Sequence, residues 1–250
     1  MFTGPEAYDR FMGRYSVPLA PELADFAGVA AGQRVLDVGC GPGALTAELV
    51  DRLGAAAVSA VDPSEPFVAA ARSRLPGADV RLGAAEQLPF ADAEFDAALA
   101  QLAVHFMADP LVGLTELARV TRSGGVVAAC VWDHAHGGGP LAAFWDRARE
   151  LDPSVEDESQ LAGTRQGHLA ELFEAAGLQD VEESTLTVHV AHPSFDEWWE
   201  PFTLGVGPAG SYLSSLPAQQ SGRLRERCAG MFPAGEVHIS ARAWAARGLS

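Results

Sequence analysis

The chain has 250 residues, and a hydrophobic content of 48% suffices for one large α/β domain or for one domain with an inserted lobe. Its formal net charge of -16, with no run of basic residues, argues against nucleic acid or an anionic membrane as a partner. Residues 1–14 lack the apolar core of a signal peptide, and no apolar stretch is long enough to span a bilayer, so we expect a cytoplasmic protein.

Short apolar runs alternate with amphipathic stretches between residues 34 and 131, a pattern typical of a parallel sheet covered by helices. The predicted strands are Arg34–Val38, Ala57–Val61, Asp79–Leu82, Phe95–Ala100 and Gly125–Val131. The predicted helices are Ala44–Leu53, Glu65–Leu75 and Pro110–Thr121, the last two with Ser64 and Asp109 as N-caps. A glycine turn over residues 122–125 is expected to lead into the fifth strand.

The remaining residues are organised differently. Three consecutive glycines make residues 134–140 the clearest candidate for a flexible linker. The elements predicted beyond it are a helix over Gly167–Ala176, a β-rich run over Val181–Val190 and a closing strand over Glu236–Ala246. Residues 195–232, rich in Trp and Phe among Pro and Gly, indicate a helical excursion from the sheet.

The strongest chemical signal is the segment Val35–Gly43, where a buried strand breaks into glycines and then a helix. Glycines permit positive φ and remove Cβ atoms, so a ligand can lie against bare backbone at the carboxyl edge of the sheet. The same glycines also fit the dinucleotide fingerprint, and Asp62 ends the second strand, where either ligand class would have its ribose-binding acid. Asp37, just before the first glycine, favours a zwitterionic amino acid over a pyrophosphate, since like charges repel.

Several motifs in order resemble those of class I S-adenosylmethionine-dependent methyltransferases, in particular the UbiE-like and Methyltransf_11 group. They are Val35–Gly43, Ala60–Ser64, Gly83–Phe90 followed by Phe95–Ala98, and Glu116–Gly125. Tyr8–Ser16 also resembles the N-terminal segment that closes over the cofactor in related proteins. The resemblance implies a Rossmann-like, doubly wound α/β sheet of seven mostly parallel strands in the order 3-2-1-4-5-7-6. It also implies S-adenosylmethionine as cofactor and S-adenosylhomocysteine as product.

We therefore expect one methyltransferase domain over residues 1–250. Residues 30–133 would form its cofactor-binding core, and residues 1–20 and 195–232 a small helical lid. By the same resemblance, Asp37 and the backbone of Gly39, Cys40, Gly41 and Gly43 would hold the methionine part of the cofactor. Asp62 would accept bonds from both ribose hydroxyls, since one ionised carboxylate can accept two such bonds.

The resemblance further implies that Pro63 and Ser64 flank the adenine and that Gln101 contacts the methionine end. Ala84 departs from the group's pattern, because an acid at this position usually bonds the adenine amino group. Backbone atoms near Ala85 and Glu86 are the expected substitute for that acid.

The acceptor side is less determined by the sequence. Methyl transfer from a sulfonium needs mainly alignment and exclusion of water, so no fixed catalytic signature is expected. His105 is the candidate general base, because it lies in the loop leaving the fourth strand; a packing role for it is the alternative. Aromatic residues are expected to line the acceptor pocket, with packing onto the sheet as their alternative: Tyr15, Trp198, Trp199, Phe202 and Tyr212. No metal site is predicted, since His134 and His136 have no evident third ligand nearby.

These observations predict methyl transfer from S-adenosylmethionine to a small-molecule acceptor at oxygen, nitrogen or carbon. Two alternatives stay open. An NAD-dependent oxidoreductase would share the glycines and Asp62, but the chain contains no lysine, which removes the usual lysine-assisted hydride chemistry. A non-catalytic S-adenosylmethionine-binding module would account for Ala84. The acceptor and the oligomeric state are not determined by the sequence.

Overall fold

A computed structural model describes residues 4–250 as a seven-stranded sheet in the order β3-β2-β1-β4-β5-β7-β6, which confirms the predicted fold. The strands are β1 Val35–Val38, β2 Val58–Asp62, β3 Asp79–Leu82, β4 Phe95–Gln101, β5 Thr121–Trp132, β6 Gln179–His192 and β7 Val237–Leu249. The helices are α1 Pro5–Tyr8, α2 Arg14–Phe26, α3 Ala44–Leu53, α4 Glu65–Arg74, α5 Pro110–Val120, α6 Ala142–Leu151, α7 His168–Ala175, α8 Phe195–Trp199, α9 Gly207–Ser215 and α10 Ala218–Ala229.

Strand directions place the ligand-binding candidates at one edge of the sheet. β1 is parallel to both β2 and β4, and β4 is parallel to β5. β7 is antiparallel to β5 and to β6, as predicted for the last strand. The carboxyl ends of β1, β2, β4 and β5 therefore meet at the same edge, where open α/β sheets bind their ligands.

Three local predictions are wrong. Residues 122–125, with their two glycines, form a bulge inside β5. Thr121 pairs with Phe95, and the next pair joins Val126 to Ala97, so β5 has extra residues between the two pairs. The Ser64 side chain makes no capping hydrogen bond at the start of α4. Residues 134–140 form a packed loop and not a flexible linker, because Gly138 and Gly139 both donate backbone hydrogen bonds to the Asp133 carbonyl.

Residues 4–26 run along the ligand edge and then across the sheet. α1 leads into a single π-helical turn over Asp9–Gly13 and then into α2. The segment is tied down by ion pairs from Arg10 to Glu200 at 2.5 Å and from Arg74 to Asp9. Of the predicted lid over residues 1–20, residues 1–3 lie outside the described residues.

The excursion over residues 195–232 is helical, as predicted, and comprises α8, a 3-10 turn over Glu200–Leu204, α9 and α10. Its apolar side chains share one core with α2, α3 and α6, while α5 and α7 cover the opposite face of the sheet. Within residues 4–250, no helix combines the length and the apolar character needed to cross a membrane.

Candidate functional site

The glycine loop joins β1 to α3 and is held against β2. The backbone amides of Gly39 and Cys40 both donate to the Val61 carbonyl, at 2.8 and 3.1 Å. A Cβ on Gly39 would lie 2.4 Å from the Ala103 Cβ, so this position has room only for glycine. At Gly41, where φ is +54°, an added Cβ would meet no atom of residues 4–250 within 4 Å. The loop therefore packs tightly at its start and leaves bare backbone accessible at Gly41.

Asp37, in β1, is buried, and only one of its two carboxyl oxygens has a hydrogen-bond partner among the described residues. Its side chain is 1% exposed, and Oδ2 accepts a hydrogen bond of 2.6 Å from Thr46 Oγ1. Oδ1 has no hydrogen-bond partner within residues 4–250. Burial raises the pKa of Asp37 to about 7, the Thr46 hydroxyl partly offsets this, and the Asp62 carboxyl adds to it. A carboxyl group in this state has a free acceptor atom and gains from a nearby cation.

Gln101, the last residue of β4, provides a second free acceptor at the same edge. Its Nε2 donates a hydrogen bond of 2.9 Å to the Ser16 carbonyl, so the amide is fixed in place. Its Oε1 is buried and, like Asp37 Oδ1, lacks a partner in the described part of the chain. Two buried acceptors without donors are costly unless a ligand supplies the donors. The ammonium group of an amino acid moiety supplies such donors, so these residues fit the methionine part of S-adenosylmethionine.

Asp62, which ends β2, uses both carboxylate oxygens to organise the loops around it. Oδ2 accepts from the Gly41 amide and Oδ1 from the Ser64 amide, each at 2.8 Å. The Asp62 carboxylate thus connects the glycine loop to Ser64 at the start of α4. Burial raises the pKa of Asp62, while these two backbone bonds lower it. Each oxygen keeps a further lone pair for a ribose hydroxyl. Pro63 beside it is exposed.

The segment after β3 lies beside the start of α5. Glu86 Oε1 accepts from the amides of Ala108 and Asp109, at 2.7 and 3.3 Å, so its carboxylate holds that loop. Ala84 is exposed and Ala85 half-buried next to Gly113. Adenine recognition at Ala85 and Glu86 through backbone atoms stays a prediction.

A narrow, mostly apolar cavity opens at the same edge and encloses about 430 Å³ including its mouth. Its walls come from the N-terminal segment, from the loops after β4 and β5, and from residues later in the chain. The lining residues are Tyr8, Phe11, Met12, Leu102, His105, Phe106, Trp132, His134, Leu141, Glu158, Gly207 and Pro208. Such a site suits a small ligand with an apolar body and a few polar contacts.

His105 lines this cavity, where it was predicted to act, but its environment makes it a weak base. Burial, with a smaller effect of His134, lowers the pKa of His105 to about 3. Burial likewise lowers the pKa of His134 to about 4, and the two rings lie 6.1 Å apart. Both imidazoles are therefore neutral near pH 7. A general base works best with a pKa near the working pH, so these rings are better suited to hydrogen bonding than to removing a proton.

Sequence reasoning missed Glu158, which also lines the cavity. The residue is 5% exposed, and its Oε2 accepts a hydrogen bond of 2.6 Å from Trp145 Nε1. Burial raises the pKa of Glu158 to about 7, the Trp145 bond lowers it, and the Asp157 charge raises it. It lies in a short 3-10 turn after α6, where no local motif marks a binding residue. The acidic run around it resembles an ordinary solvated surface, so its burial was the missing signal.

Tyr8 borders both the cavity and the glycine-loop edge. Burial raises the pKa of its hydroxyl to about 12, the Ser16 side chain lowers it, and the Asp62 and Asp37 charges are among those that raise it. Its ring packs edge-on against Phe67 of α4 at 5.5 Å. The two candidate subsites are thus adjacent, and Tyr8 of the N-terminal segment lies beside both.

The aromatic residues predicted to contact the acceptor lie elsewhere. Trp198, Trp199 and Phe202 are buried in the core, where Phe202 stacks on Phe144 with ring centres 4.6 Å apart. Tyr212 packs against Phe144 and Trp145. None of the four lines the cavity, so the structure supports the packing alternative for them.

Tyr15 is also absent from the cavity wall. It is 3% exposed, and its hydroxyl is bonded to His192 Nε2 at 2.9 Å. The cavity instead takes Tyr8, Phe11 and Met12 from the same segment. Within residues 4–250, no three side chains of His, Cys, Asp or Glu come together as a metal site.

Comparison with known proteins connects this geometry to one family. Residues 36–129 match the Methyltransf_11 family model, described as a methyltransferase domain. An uncharacterised methyltransferase of Mycobacterium tuberculosis is 42% identical over 127 residues, which are 51% of this chain and 49% of that protein. The chain thus spans about half the length of the curated relatives it matches.

Solved structures show the same fold over nearly the whole chain. The YcgJ protein of Bacillus subtilis has a TM-score of 0.60 at 20% identity and covers 94% of this chain and 99% of its own. Phosphoethanolamine N-methyltransferase 2 of Haemonchus contortus, in complex with phosphomonomethylethanolamine and S-adenosylhomocysteine, has a TM-score of 0.62 at 16% identity. That match covers 99% of this chain and 57% of the other.

Proposed function

Since this chain belongs to the class I S-adenosylmethionine-dependent methyltransferases, we propose that it transfers a methyl group from S-adenosylmethionine to a small molecule. The observation that carries the proposal is the pair of buried, unpartnered acceptors, Asp37 Oδ1 and Gln101 Oε1. They lie near the carboxyl ends of the neighbouring strands β1 and β4, at the edge where Gly41 leaves its backbone accessible. A zwitterionic amino acid tail supplies the donors that both atoms lack, whereas a pyrophosphate would add like charge beside Asp37.

The remaining residues have roles that follow from their positions. Asp62 would accept from the ribose hydroxyls while keeping its bonds to Gly41 and Ser64. When bound, S-adenosylmethionine supplies a sulfonium-activated methyl group, which an acceptor atom takes by in-line displacement. Phe11, Met12 and Trp132 would hold the acceptor in an apolar cavity and exclude water from it.

The acceptor is proposed to be a small molecule because the cavity is narrow and enclosed by the N-terminal segment. We expect this acceptor to differ in charge from the phosphate-bearing ligand of the Haemonchus complex. No Arg of residues 4–250 lines the cavity, and the chain has no Lys. Binding of a phosphate or carboxylate acceptor normally uses such cations, so we expect the acceptor to be neutral or cationic.

Calorimetric titration tests the proposal with four ligands: S-adenosylmethionine, S-adenosylhomocysteine, 5′-methylthioadenosine and NADH. Methylthioadenosine lacks the amino acid part, so it should bind at least about 100-fold more weakly than S-adenosylhomocysteine, from the loss of charge-assisted hydrogen bonds. NADH should not bind. Tight NADH binding without S-adenosylmethionine binding would indicate the oxidoreductase alternative. Equal binding of methylthioadenosine and S-adenosylhomocysteine would remove the proposed role of Asp37 and Gln101.

A further inference from the structure

The cavity contains a buried carboxyl group, Glu158, with no Arg or Lys among the described residues that line the space. Trp145 Nε1 holds this carboxyl in one orientation by donating to Oε2 at 2.6 Å, and the backbone amide of Glu158 adds a second, local bond. Because Glu158 lines the cavity, a ligand there can reach it.

The side-chain charge that acts on Glu158 is that of Asp157, which raises the pKa of Glu158. Asp157 precedes it and is paired with Arg149, whose Nε lies 2.8 Å from Asp157 Oδ2. His105 and His134 face the same cavity, and burial lowers the pKa of each well below 7. Tyr8 adds a hydroxyl whose pKa is about 12. An ionised Glu158 would therefore be an uncompensated buried anion, which is costly unless a cation binds beside it.

We infer that the methyl acceptor is a small amine, whose ammonium group binds Glu158 while its apolar part lies among the aromatic residues of the cavity. This inference rests on the proposed methyl transfer and specifies its substrate class. The aromatic walls support it, since Phe106 and Trp132 line the same space and aromatic faces attract cations. A neutral alcohol could accept or donate a hydrogen bond there, but it would not form the charge-assisted bond that an ammonium group makes with the carboxylate.

Glu158 also accounts for the proton that N-methylation requires to be removed. The ammonium nitrogen gives one proton to the Glu158 carboxylate, and the resulting amine has the lone pair needed for attack. That lone pair forms the bond to the methyl carbon as the carbon–sulfur bond of S-adenosylmethionine breaks, and the bond's electron pair remains on sulfur. Glu158 then releases its proton to solvent when the methylated ammonium product leaves. A pKa of about 7 lets Glu158 hold and release this proton near neutral pH.

The test uses the full chain saturated with S-adenosylhomocysteine and three amine probes: benzylamine, phenethylamine and cyclohexylamine. Each is compared with its isosteric alcohol by calorimetric or ligand-observed NMR titration. We expect each amine to bind at least about tenfold more tightly than its alcohol, because a charge-assisted bond replaces a neutral one. Glu158→Gln should reduce that preference to less than about twofold. Incubation with S-adenosylmethionine should yield the methylated amine, detected by its mass.

Two variants control for folding and net charge. Glu158→Gln keeps an acceptor for Trp145 Nε1, and circular dichroism checks that the fold is retained. Glu156→Gln removes the same unit of charge two residues away, from an exposed side chain that does not line the cavity, and should keep the preference for amines. The inference is overturned if alcohols bind as well as amines, or if Glu158→Gln keeps the preference. In either case S-adenosylhomocysteine binding would leave the proposed function standing, whereas failure to bind that ligand would overturn both.

Discussion

Thr46 Oγ1 donates a hydrogen bond of 2.6 Å to Asp37 Oδ2, while Asp37 Oδ1 a short distance away has no partner in the described residues. The hydroxyl fixes the carboxyl plane, so the free oxygen has a defined position. A buried polar atom without a partner lowers the stability of the ligand-free protein, and a ligand that satisfies it recovers that free energy. Thr46 thus orients the Asp37 carboxyl group by binding only one of its two oxygens.

This arrangement predicts that Asp37→Asn stabilises the ligand-free protein at pH 8. The folded-state pKa of Asp37 is about 7, raised by burial from the ordinary value of 3.8, so its favourable contribution is present at acid pH and is lost as the pH rises through 7. Removing the ionisable group should raise the free energy of unfolding by about 1–3 kcal/mol at pH 8 and by much less at pH 5. Urea unfolding at the two pH values measures this.

The same variant should bind S-adenosylmethionine at least about tenfold more weakly, from loss of a charged acceptor. Asp25→Asn, at an exposed acid paired with Arg52, is the matched control and should change neither quantity much. A variant that gained stability while keeping full affinity would contradict the assignment of Asp37 to the ligand.

Gly41 and Gly28 form a matched pair for testing where the ligand lies. Both have positive φ, +54° and +70°, and an added Cβ would meet no described atom within 4 Å at either site. Alanine should therefore cost a similar amount of stability at both, about 1–2 kcal/mol from backbone strain. Only Gly41→Ala should weaken S-adenosylmethionine, by about tenfold or more, because only that backbone faces the proposed site. Thermal unfolding and calorimetry compare the two, and equal affinities would place the ligand away from Gly41.

The centre of the sheet was predictable from the sequence because β1, β2 and β4 are buried almost throughout and the helices between the strands have clear ends. Helix α3 has the predicted bounds, and Asp109 caps α5 through the amides of Leu111 and Val112. Helix α2 is absent from the predicted elements, since Pro18 and Pro21 weaken its local helical signal. Its stability comes from tertiary packing of fully buried Leu19 and Leu23.

The candidate site was predictable only where it follows from chain topology. Asp37 lies one residue before the end of β1, and Asp62 and Gln101 end β2 and β4, so the strand order alone brings them to one edge. Glu158 reaches the cavity through the packing of a loop that carries no motif, and the helical spacing of Trp198 and Phe202 did not reveal which neighbours they contact. Those outcomes depend on side-chain packing between elements distant in sequence, which periodicity does not describe.

The ion pair between Arg74 and Asp9 predicts that the N-terminal segment contributes to ligand affinity. Arg74 also donates to the Pro42 carbonyl of the glycine loop at 3.2 Å, so it joins the segment to the proposed cofactor site. Because both side chains are about 40% exposed, we expect a small effect: Arg74→Gln should weaken S-adenosylmethionine two- to fivefold, or about 0.5–1 kcal/mol. The difference from wild type should shrink at 0.5 M salt.

The control for Arg74 is Arg165→Gln. Arg165 forms an exposed ion pair of 2.6 Å with Glu171 of α7, away from the glycine loop. Its loss should leave affinity unchanged at either salt concentration. An equal loss of affinity in both variants would indicate a general charge effect and not a role of the segment.

Substitutions at two phenylalanines, one in the core and one in the cavity wall, test the two regions separately. Phe202 is 1% exposed and stacks on Phe144, whereas Phe106 lines the cavity and is 51% exposed. Phe202→Leu should lower the free energy of unfolding by about 1–3 kcal/mol and leave amine-probe affinity unchanged. Phe106→Leu should cost less than about 0.5 kcal/mol in stability and change probe affinity at least twofold. Chemical denaturation measures the stability of each variant, and probe titration measures its affinity. The opposite pattern would indicate that the aromatic residues of 195–232 contact the acceptor.

Burial of His105 predicts that its ring is neutral and is not the base, and the pH dependence of stability tests this. The folded-state pKa of His105 is about 3, lowered chiefly by burial, so the stability that it contributes is present above pH 6.5 and is lost as the pH falls towards 3. His105→Gln should flatten the acid limb of the stability profile by up to about 1.4 kcal/mol per pH unit between pH 6 and 4. His189→Gln, at an exposed position on β6, controls for the loss of a histidine. Methyl transfer to an amine should keep any pH dependence near 7 in the His105 variant, because a ring with so low a pKa does not titrate there. If the pH dependence of methyl transfer near pH 7 disappeared in His105→Gln and persisted in Glu158→Gln, His105 would instead be identified as the base.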